Sequence, residues 1–173
     1  RIGTVESTFD VIGNIRASDS VNITSQVPGI ITKINFREGS NVKKGRLLVQ
    51  LEEKEQKAEV ARWRAIVKNK NRLYENGVKL ASTKNIALTK LDQLATDLSE
   101  AEAELNIALA KLEKRMIYAP FSGKIGLSNI SRGNYIVPGD AIATLDAINP
   151  IEIDFQIPES VLSSLKRNQK IKG

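Results

Sequence analysis

The fold is decided by residues 29–52, GIITKINFREGSNVKKGRLLVQLE, which recur in altered form at residues 123–146 as GKIGLSNISRGNYIVPGDAIATLD. At one constant offset the glycines of the two copies coincide, and so do apolar positions such as Ile31 and Ile125. The aligned glycines are Gly29 with Gly123, Gly39 with Gly133, and Gly45 with Gly139. The chain is therefore built around an internal repeat.

Both copies have the composition of short β-strands separated by tight turns. Apolar, β-prone runs alternate with triplets such as Glu38-Gly39-Ser40 and Arg132-Gly133-Asn134, in which glycine can adopt a positive φ without steric cost. All six aligned glycines are interpreted as structural turn residues. Neither copy has enough strands to bury a sheet face alone, so residues 21–52 and 117–147 are predicted to pack together as one small β-sandwich.

Residues 53–116, which separate the two copies, follow a helical periodicity. From Ala87 to Leu112, apolar residues recur at alternating spacings of four and three, which is the heptad pattern of a coiled coil. The positions are Ala87, Leu91, Leu94, Leu98, Ala101, Leu105, Ala108 and Leu112. This pattern predicts a helix over about 82–115, with Ser82 as its N-cap.

A partner helix is predicted over about 53–76, with a weaker seam that Lys70 interrupts. The apolar residues of this seam are Val60, Trp63, Val67 and Tyr74. Gly77 suits the position after a helix C-terminus, so we expect a short loop at 77–81. Two antiparallel helices joined in this way form a hairpin with arms on the order of 35–45 Å. The repeat halves at its base are too small to cover it, so the hairpin is predicted to project.

The two ends of the chain are predicted to share a third unit. Residues 1–20 contain one or more strands, and residues 151–157 alternate strictly between apolar and polar side chains, as a strand with one wet face does. A short helix is predicted over 160–165. Because these pieces are too few to close a sheet, residues 148–173 are predicted to begin an incomplete β-barrel that continues beyond Gly173.

Composition argues against most catalytic chemistry. The chain has no Cys and no His, which removes thiolate nucleophiles, imidazole bases and the usual zinc ligands. Carboxylate pairs such as Glu52-Glu53 and Glu100/Glu104 lack clustered partners and are interpreted as solvating charges. No catalytic, cofactor-binding or metal site is predicted.

The net charge of +6 raises the question of nucleic-acid binding. Basic residues cluster in one run of the first helix, but the run has little aromatic interleaving and no groove-reading motif. Its members are Arg62, Arg64, Lys68, Lys70 and Arg72. They are interpreted as the solvated face of a coiled coil. No stretch approaches the ~18 apolar residues of a membrane span.

Three segments together resemble the periplasmic adaptors, or membrane-fusion proteins, of tripartite efflux pumps. They are VPGIITKINFREGSNVKKGRLLVQLE (27–52), IYAPFSGKIG (117–126) and TLDAINPIEIDFQIPE (144–159), and the last is most similar to the resistance-nodulation-division (RND) class. The resemblance implies a mixed α and β fold. It consists of a split biotinyl/lipoyl-like β-sandwich with an inserted antiparallel coiled-coil hairpin, followed by part of a β-barrel.

The resemblance also implies a non-enzymatic role. Such adaptors link an inner-membrane transporter to an outer-membrane duct protein during export of drugs or other small molecules. They self-associate into a ring, commonly a hexamer, and lie in the periplasm attached to the inner membrane of a Gram-negative bacterium. Neither a cofactor nor nucleic acid is expected.

The hairpin tip is the predicted partner-binding site. The family has an Arg, a Leu four positions on and a Ser seven further on, whereas here Leu73 directly follows Arg72 and Ser82 comes nine residues later. The candidate contact residues are Arg72, Leu73, Asn76, Leu80 and Ser82. Two alternatives stay open: an adaptor of an ABC-type export system, and a lipoyl/biotin carrier-like scaffold. For the carrier, Lys54 is the nearest lysine, but it lies in the first turn of a helix.

Overall fold

The computed structural model describes residues 12–82 and 87–156, which form ten strands and two helices. The strands are β1 (Gly13–Ala17), β2 (Ser20–Thr24), β3 (Gly29–Ile34), β4 (Asn41–Val42), β5 (Leu47–Leu51), β6 (Met116–Tyr118), β7 (Gly123–Ser128), β8 (Tyr135–Ile136), β9 (Ala141–Asp146) and β10 (Ile151–Phe155). The helices are α1 (Lys54–Ser82) and α2 (Leu88–Glu113).

The repeat folds into one sandwich of two four-stranded sheets. The strand orders are β2-β9-β7-β4 and β6-β5-β3-β8. Strands β2 to β5 of the first half correspond in order to β6 to β9 of the second half, and exchanging each strand for its counterpart converts one sheet order into the other. Each sheet contains two strands from each half. The predicted fold class, a split sandwich with an inserted hairpin, is confirmed.

Hydrogen bonds across the sandwich obey the same internal symmetry. The Gly39 amide donates to the Ile125 carbonyl at 2.8 Å, and the equivalent Gly133 amide donates to the Ile31 carbonyl, also at 2.8 Å. Each half therefore supplies the backbone acceptors that the turn of the other half requires.

The core of the sandwich is aliphatic. Its largest fully buried side chains come from both copies and are Ile31, Leu48, Val49, Leu51, Ile125, Ile142 and Leu145. Removing one such side chain from water contributes roughly 1.5–3 kcal/mol. Because the inner positions of β3 and β7 have the same burial pattern, the repeat in the sequence is a repeat of core positions.

The six aligned glycines have two different roles. Four lie in turns and have positive φ: Gly39 (72°), Gly45 (78°), Gly133 (91°) and Gly139 (94°). The interpretation of Gly29 and Gly123 as turn residues is wrong, because each begins a strand and is buried. These two positions lack space. A Cβ at Gly123 would overlap the Asp146 backbone carbonyl, and one at Gly29 would lie 2.9 Å from the Arg115 guanidinium.

The first helix extends beyond its predicted end at residue 76. Gly77 is not a terminator: it is buried within α1, which continues to Ser82. Residues 77–81 are therefore helix and not loop. The seam explains the extension, because its spacing of three and four continues through Gly77 to Ala81. Packing against α2 offsets the roughly 1 kcal/mol that glycine costs inside a helix.

The second helix begins later than predicted. Ser82 is the last residue of α1, and its hydroxyl donates to the Lys79 carbonyl at 2.7 Å, so its assignment as the N-cap of the second helix is wrong. Ala87 occupies the N-cap position of α2, which ends at Glu113 and not at 115. From Leu91 to Leu112 the predicted seam is buried or half-buried. The two helices are about 44 and 39 Å long at 1.5 Å per residue.

The ends of the described chain pair as a separate two-stranded ribbon of β1 with β10. Its exposed apolar side chains share one face, where Ile15 pairs with Ile153. On the other face, Arg16 contacts Glu152 at 2.8 Å and Asp154 at 3.0 Å. The predicted helix at 160–165 lies outside the described residues. That residues 1–20 and 148–173 form part of a barrel stays a prediction.

Gly123→Ala should destabilise the sandwich more than Gly29→Ala. At Gly123 the obstacle is backbone, which cannot yield, whereas at Gly29 it is the flexible end of Arg115. We expect thermal unfolding, followed by circular dichroism near 215 nm, to show a clearly lower midpoint for Gly123→Ala. The two positions are repeat equivalents, so each is the control for the other. Equal losses would contradict this account.

Candidate partner-binding surface of the helical hairpin

The base of the hairpin is joined to the sandwich by backbone hydrogen bonds. The Leu51 amide donates to the Arg115 carbonyl at 2.8 Å, and the Glu52 amide donates to the Ile30 carbonyl at 2.8 Å. Strands β5 and β6, which enter and leave the hairpin, pair antiparallel. The insert therefore occupies the position of a β-hairpin turn, and the sandwich fixes the direction in which it projects.

Lys70, which interrupts the seam, has a partner on the opposite helix. Its ammonium lies 2.7 Å from an Asp97 carboxylate oxygen, and the Gln93 amide donates to the other carboxylate oxygen at 2.7 Å. Hydrogen bonds from Lys70 and then Gln93 hold the pKa of Asp97 below its ordinary value. The pair sets the register of the two helices, because a shift would leave a half-buried charge unpaired.

Nearer the sandwich, Glu59 organises a second polar cluster. It accepts hydrogen bonds from Arg62 at 2.8 and 3.1 Å and from the Trp63 indole at 2.7 Å, and the Arg62 guanidinium lies 4.8 Å from the centre of the Trp63 ring. The bonds from Arg62 lower the pKa of Glu59 most. Two members of the predicted basic run, Arg62 and Lys70, thus form ion pairs within the chain.

All five predicted contact residues lie in the last turns of α1 and are exposed. At 3.6 residues per turn, four of them share one side of the helix, whereas Ser82 projects from another side. The four are Arg72, Leu73, Asn76 and Leu80. The Arg72 guanidinium donates to Asn69 at 3.0 Å, and Leu73 and Leu80 are 37% and 48% exposed.

Sequence reasoning missed two apolar residues near the tip. Val78 is 43% exposed and Leu88 is 75% exposed. Both lie outside the seam spacing, and that departure was the signal that could have identified them. Val78 lies on the side of α1 opposite Leu73 and Leu80, and Leu88 is the first residue of α2. These four exposed apolar residues at the far end of the hairpin are defined here as the tip surface. The pair of Leu73 and Leu80, which share one side of α1, is an exposed apolar group of the kind found at protein–protein contact sites.

The remaining candidates do not form a chemical site in the described part of the chain. Residues 12–82 and 87–156 contain no group of three or more acidic, His or Cys side chains placed to hold a metal ion. Glu100 and Glu104 are exposed on α2, and Lys54 is exposed in the first turn of α1. Neither described helix has the length and apolar character needed to cross a bilayer.

Known proteins are similar to this chain in sequence and in fold. The chain is 28% identical over 175 residues to Multidrug resistance protein MdtA of Photorhabdus laumondii, covering 92% of this chain and 44% of the relative. The MdtA protein of Yersinia enterocolitica is 30% identical, with 92% and 40% covered. The chain thus spans less than half the length of the curated relatives it matches.

Solved structures show the same architecture. A putative efflux transporter from Bacteroides eggerthii matches with a TM-score of 0.75 at 20% identity, covering 96% of this chain and 54% of that one. A MacA–MexA chimera carrying the Pseudomonas aeruginosa MexA α-hairpin matches with a TM-score of 0.77 at 21% identity, covering 89% and 56%. At these identities the likeness establishes the fold.

In this chain a long helical hairpin connects strands β5 and β6 of the sandwich. Residues 19–146 match the family described as RND MFP, barrel-sandwich hybrid domain. The chain belongs to this family of membrane-fusion proteins of RND systems. The resemblance drawn from the three sequence segments is confirmed.

The Lys70–Asp97 pair yields a pH-dependent prediction. Because the pKa of folded Asp97 lies below its unfolded value, its stabilising effect is present above about pH 4 and is lost as pH falls through the lower folded-state pKa. Asp97→Asn should therefore lower the unfolding temperature at pH 7, and this loss should become smaller as the pH falls below about 4. Asp92→Asn, at an exposed position of α2, is the control. A pH-independent loss would contradict the pair's role.

Proposed function

We propose that this chain is part of a periplasmic adaptor that links an inner-membrane RND transporter to an outer-membrane duct protein during export of drugs or other small molecules. The observation that carries the proposal is the tip surface, which lies at the far end of a hairpin about 40 Å long. At the base of the hairpin, the sandwich holds both the start of α1 and the end of α2. Such a geometry suits contact with a distant partner.

The role proposed for the chain is mechanical and not enzymatic. A catalytic site needs converging acid, base or nucleophilic groups in a sheltered cleft. In the described residues, the shifted carboxyl pKa values belong to Glu59 and Asp97, and a local ion pair explains each. These groups stabilise the hairpin and have no reacting partner nearby.

The tip surface supports a helix-to-helix contact with the duct. Leu73 and Leu80 flank the seam of α1, so an approaching helix could pack against them while Arg72 and Asn76 supply polar contacts at the rim. Ser82 ends α1 and is exposed beside this surface. The other proposed partners are the inner-membrane transporter, reached through attachment to the inner membrane, and further copies of the chain in a ring, with six as the expected number.

Two observations favour this role over the alternatives. The family match names RND systems, which favours an RND transporter over an ABC-type exporter. A lipoyl or biotin carrier needs a modifiable lysine at the tip of a tight β-turn, but the chain from Leu51 continues directly into α1.

A photo-reactive residue at Ser82 in the full-length protein tests the proposal in cells. We expect a crosslink to an outer-membrane duct protein, because Ser82 lies at the tip. Ser99, which is exposed midway along α2, is the matched control and should give no duct adduct. Adducts from Ser82 only to cytoplasmic proteins, or to a carboxylase or dehydrogenase subunit, would overturn the proposal.

A further inference from the structure

A groove runs along one side of the hairpin, between α1 and α2 and about midway along them. Its volume is about 420 Å³, which lies within the range of sites that hold one small molecule. The residues that line it include Trp63, Ile66, Glu100, Ala101 and Glu104. The first two are half-buried and Ala101 is buried, whereas both carboxylates are exposed. The groove therefore combines an apolar floor with an acidic rim.

The Lys70–Asp97 ion pair fixes the height of the lining residues along the hairpin. Trp63 lies seven residues closer to the sandwich than Lys70, and Glu104 lies seven residues closer than Asp97. Trp63 and Glu104 are therefore at one height, about 10 Å from the ion pair at 1.5 Å per residue. A groove of this length can hold one small molecule, but an extended peptide of more than about three residues would exceed it.

The aromatic side of the groove is held in place. The Trp63 indole donates a hydrogen bond to Glu59 at 2.7 Å, which fixes the orientation of the ring. The Arg62 guanidinium lies 4.8 Å from the centre of that ring. The pKa of Arg62 is raised by its hydrogen bonds to Glu59, by the Glu59 charge and, to a smaller degree, by the charge of Glu104. The Glu104 carboxylate is therefore within electrostatic range of the indole, whose face attracts cations.

Two carboxylates of the groove have no opposite charge paired with them. Among residues 12–82 and 87–156, neither Glu100 nor Glu104 takes part in an ion pair. The basic residues beside the groove are already paired with other carboxylates, Arg62 with Glu59 and Lys70 with Asp97. Like charges four residues apart destabilise a helix, so the fold gains nothing from the two unpaired groups. Their net negative charge attracts a cation and repels an anion.

We propose that this groove binds small organic cations that have an aromatic or apolar body. The cationic centre lies beside Glu100 and Glu104, and the body packs against Trp63, Ile66 and Ala101. A bare metal ion fits less well, because residues 12–82 and 87–156 contain no group of three acidic, His or Cys side chains placed to hold one. This binding site does not depend on the export role, because it involves neither the transporter nor the duct.

Tetraphenylphosphonium and tetraphenylborate test this assignment, because the two ions have the same shape and opposite charge. Trp63 is the only tryptophan of the 173 residues, so its fluorescence reports on the groove. At about 50 mM salt, tetraphenylphosphonium should change this fluorescence saturably, with a Kd below about 1 mM. Tetraphenylborate should bind at least about tenfold more weakly, because Glu100 and Glu104 repel it.

A pair of double variants separates the carboxylates of the groove from the general charge of α2. Glu100→Gln/Glu104→Gln should weaken tetraphenylphosphonium binding at least about tenfold. It should not lower the unfolding temperature, because it removes a like-charge pair. Asp92→Asn/Glu102→Gln removes the same charge from exposed positions of α2 that do not line the groove, and it should change the Kd less than about twofold.

The proposal is overturned if the fluorescence shows no saturable change up to about 1 mM, if tetraphenylborate binds equally well, or if the two double variants lose affinity equally. A lower unfolding temperature of Glu100→Gln/Glu104→Gln would assign the carboxylates a structural role instead. Displacement of tetraphenylphosphonium by a lysine-rich peptide at a lower concentration would assign the groove to a basic partner segment. Loss of the Ser82 crosslink to a duct would count against the duct contact and leave these results unaffected.

Discussion

Each sheet of the sandwich needs strands from both halves of the repeat, and the rest of the structure depends on this exchange. Strands β7 and β9 complete the sheet of β2 and β4, while β3 and β5 complete that of β6 and β8. The halves must therefore come together despite the long insert that separates them in sequence. The chain leaves the sandwich after Leu51 and returns to it at Arg115, and the Leu51 amide donates to the Arg115 carbonyl. The sandwich core is therefore continuous, and it holds the start of α1 and the end of α2 side by side.

The hairpin combines a tightly packed seam between its helices with exposed apolar residues at its tip. Small seam residues, Gly77, Ala101 and Ala108, are buried and let the helices approach closely. Lys70 and Asp97 fix the register at a half-buried ion pair. Since the seam does not use all of the apolar residues, the tip surface is left for other molecules. In the proposed adaptor, the tip surface contacts the duct.

The sequence predicted the architecture because the repeat preserves core positions and the coiled coil preserves spacing. It failed where one residue type serves two purposes. Glycine at Gly29 and Gly123 is required for space and not for positive φ, and sequence alone does not separate these requirements. Gly77 has the local character of a helix terminator, but the alternating spacing of three and four continues through it, and packing against α2 extends the helix. The exposure of Leu88 could not be predicted from the seam, because Leu88 lies outside the heptad spacing.

In the proposed adaptor the hairpin makes the contact with the duct, and all strands of the sandwich lie outside the hairpin. The most direct test replaces residues 53–115 of the full-length protein by a two-residue β-turn joining β5 to β6 and measures drug susceptibility in cells lacking the native gene. The account predicts that the shortened protein accumulates normally, because the sandwich core is intact, and that the cells are as susceptible as those with no adaptor. Resistance restored by the shortened protein would contradict it.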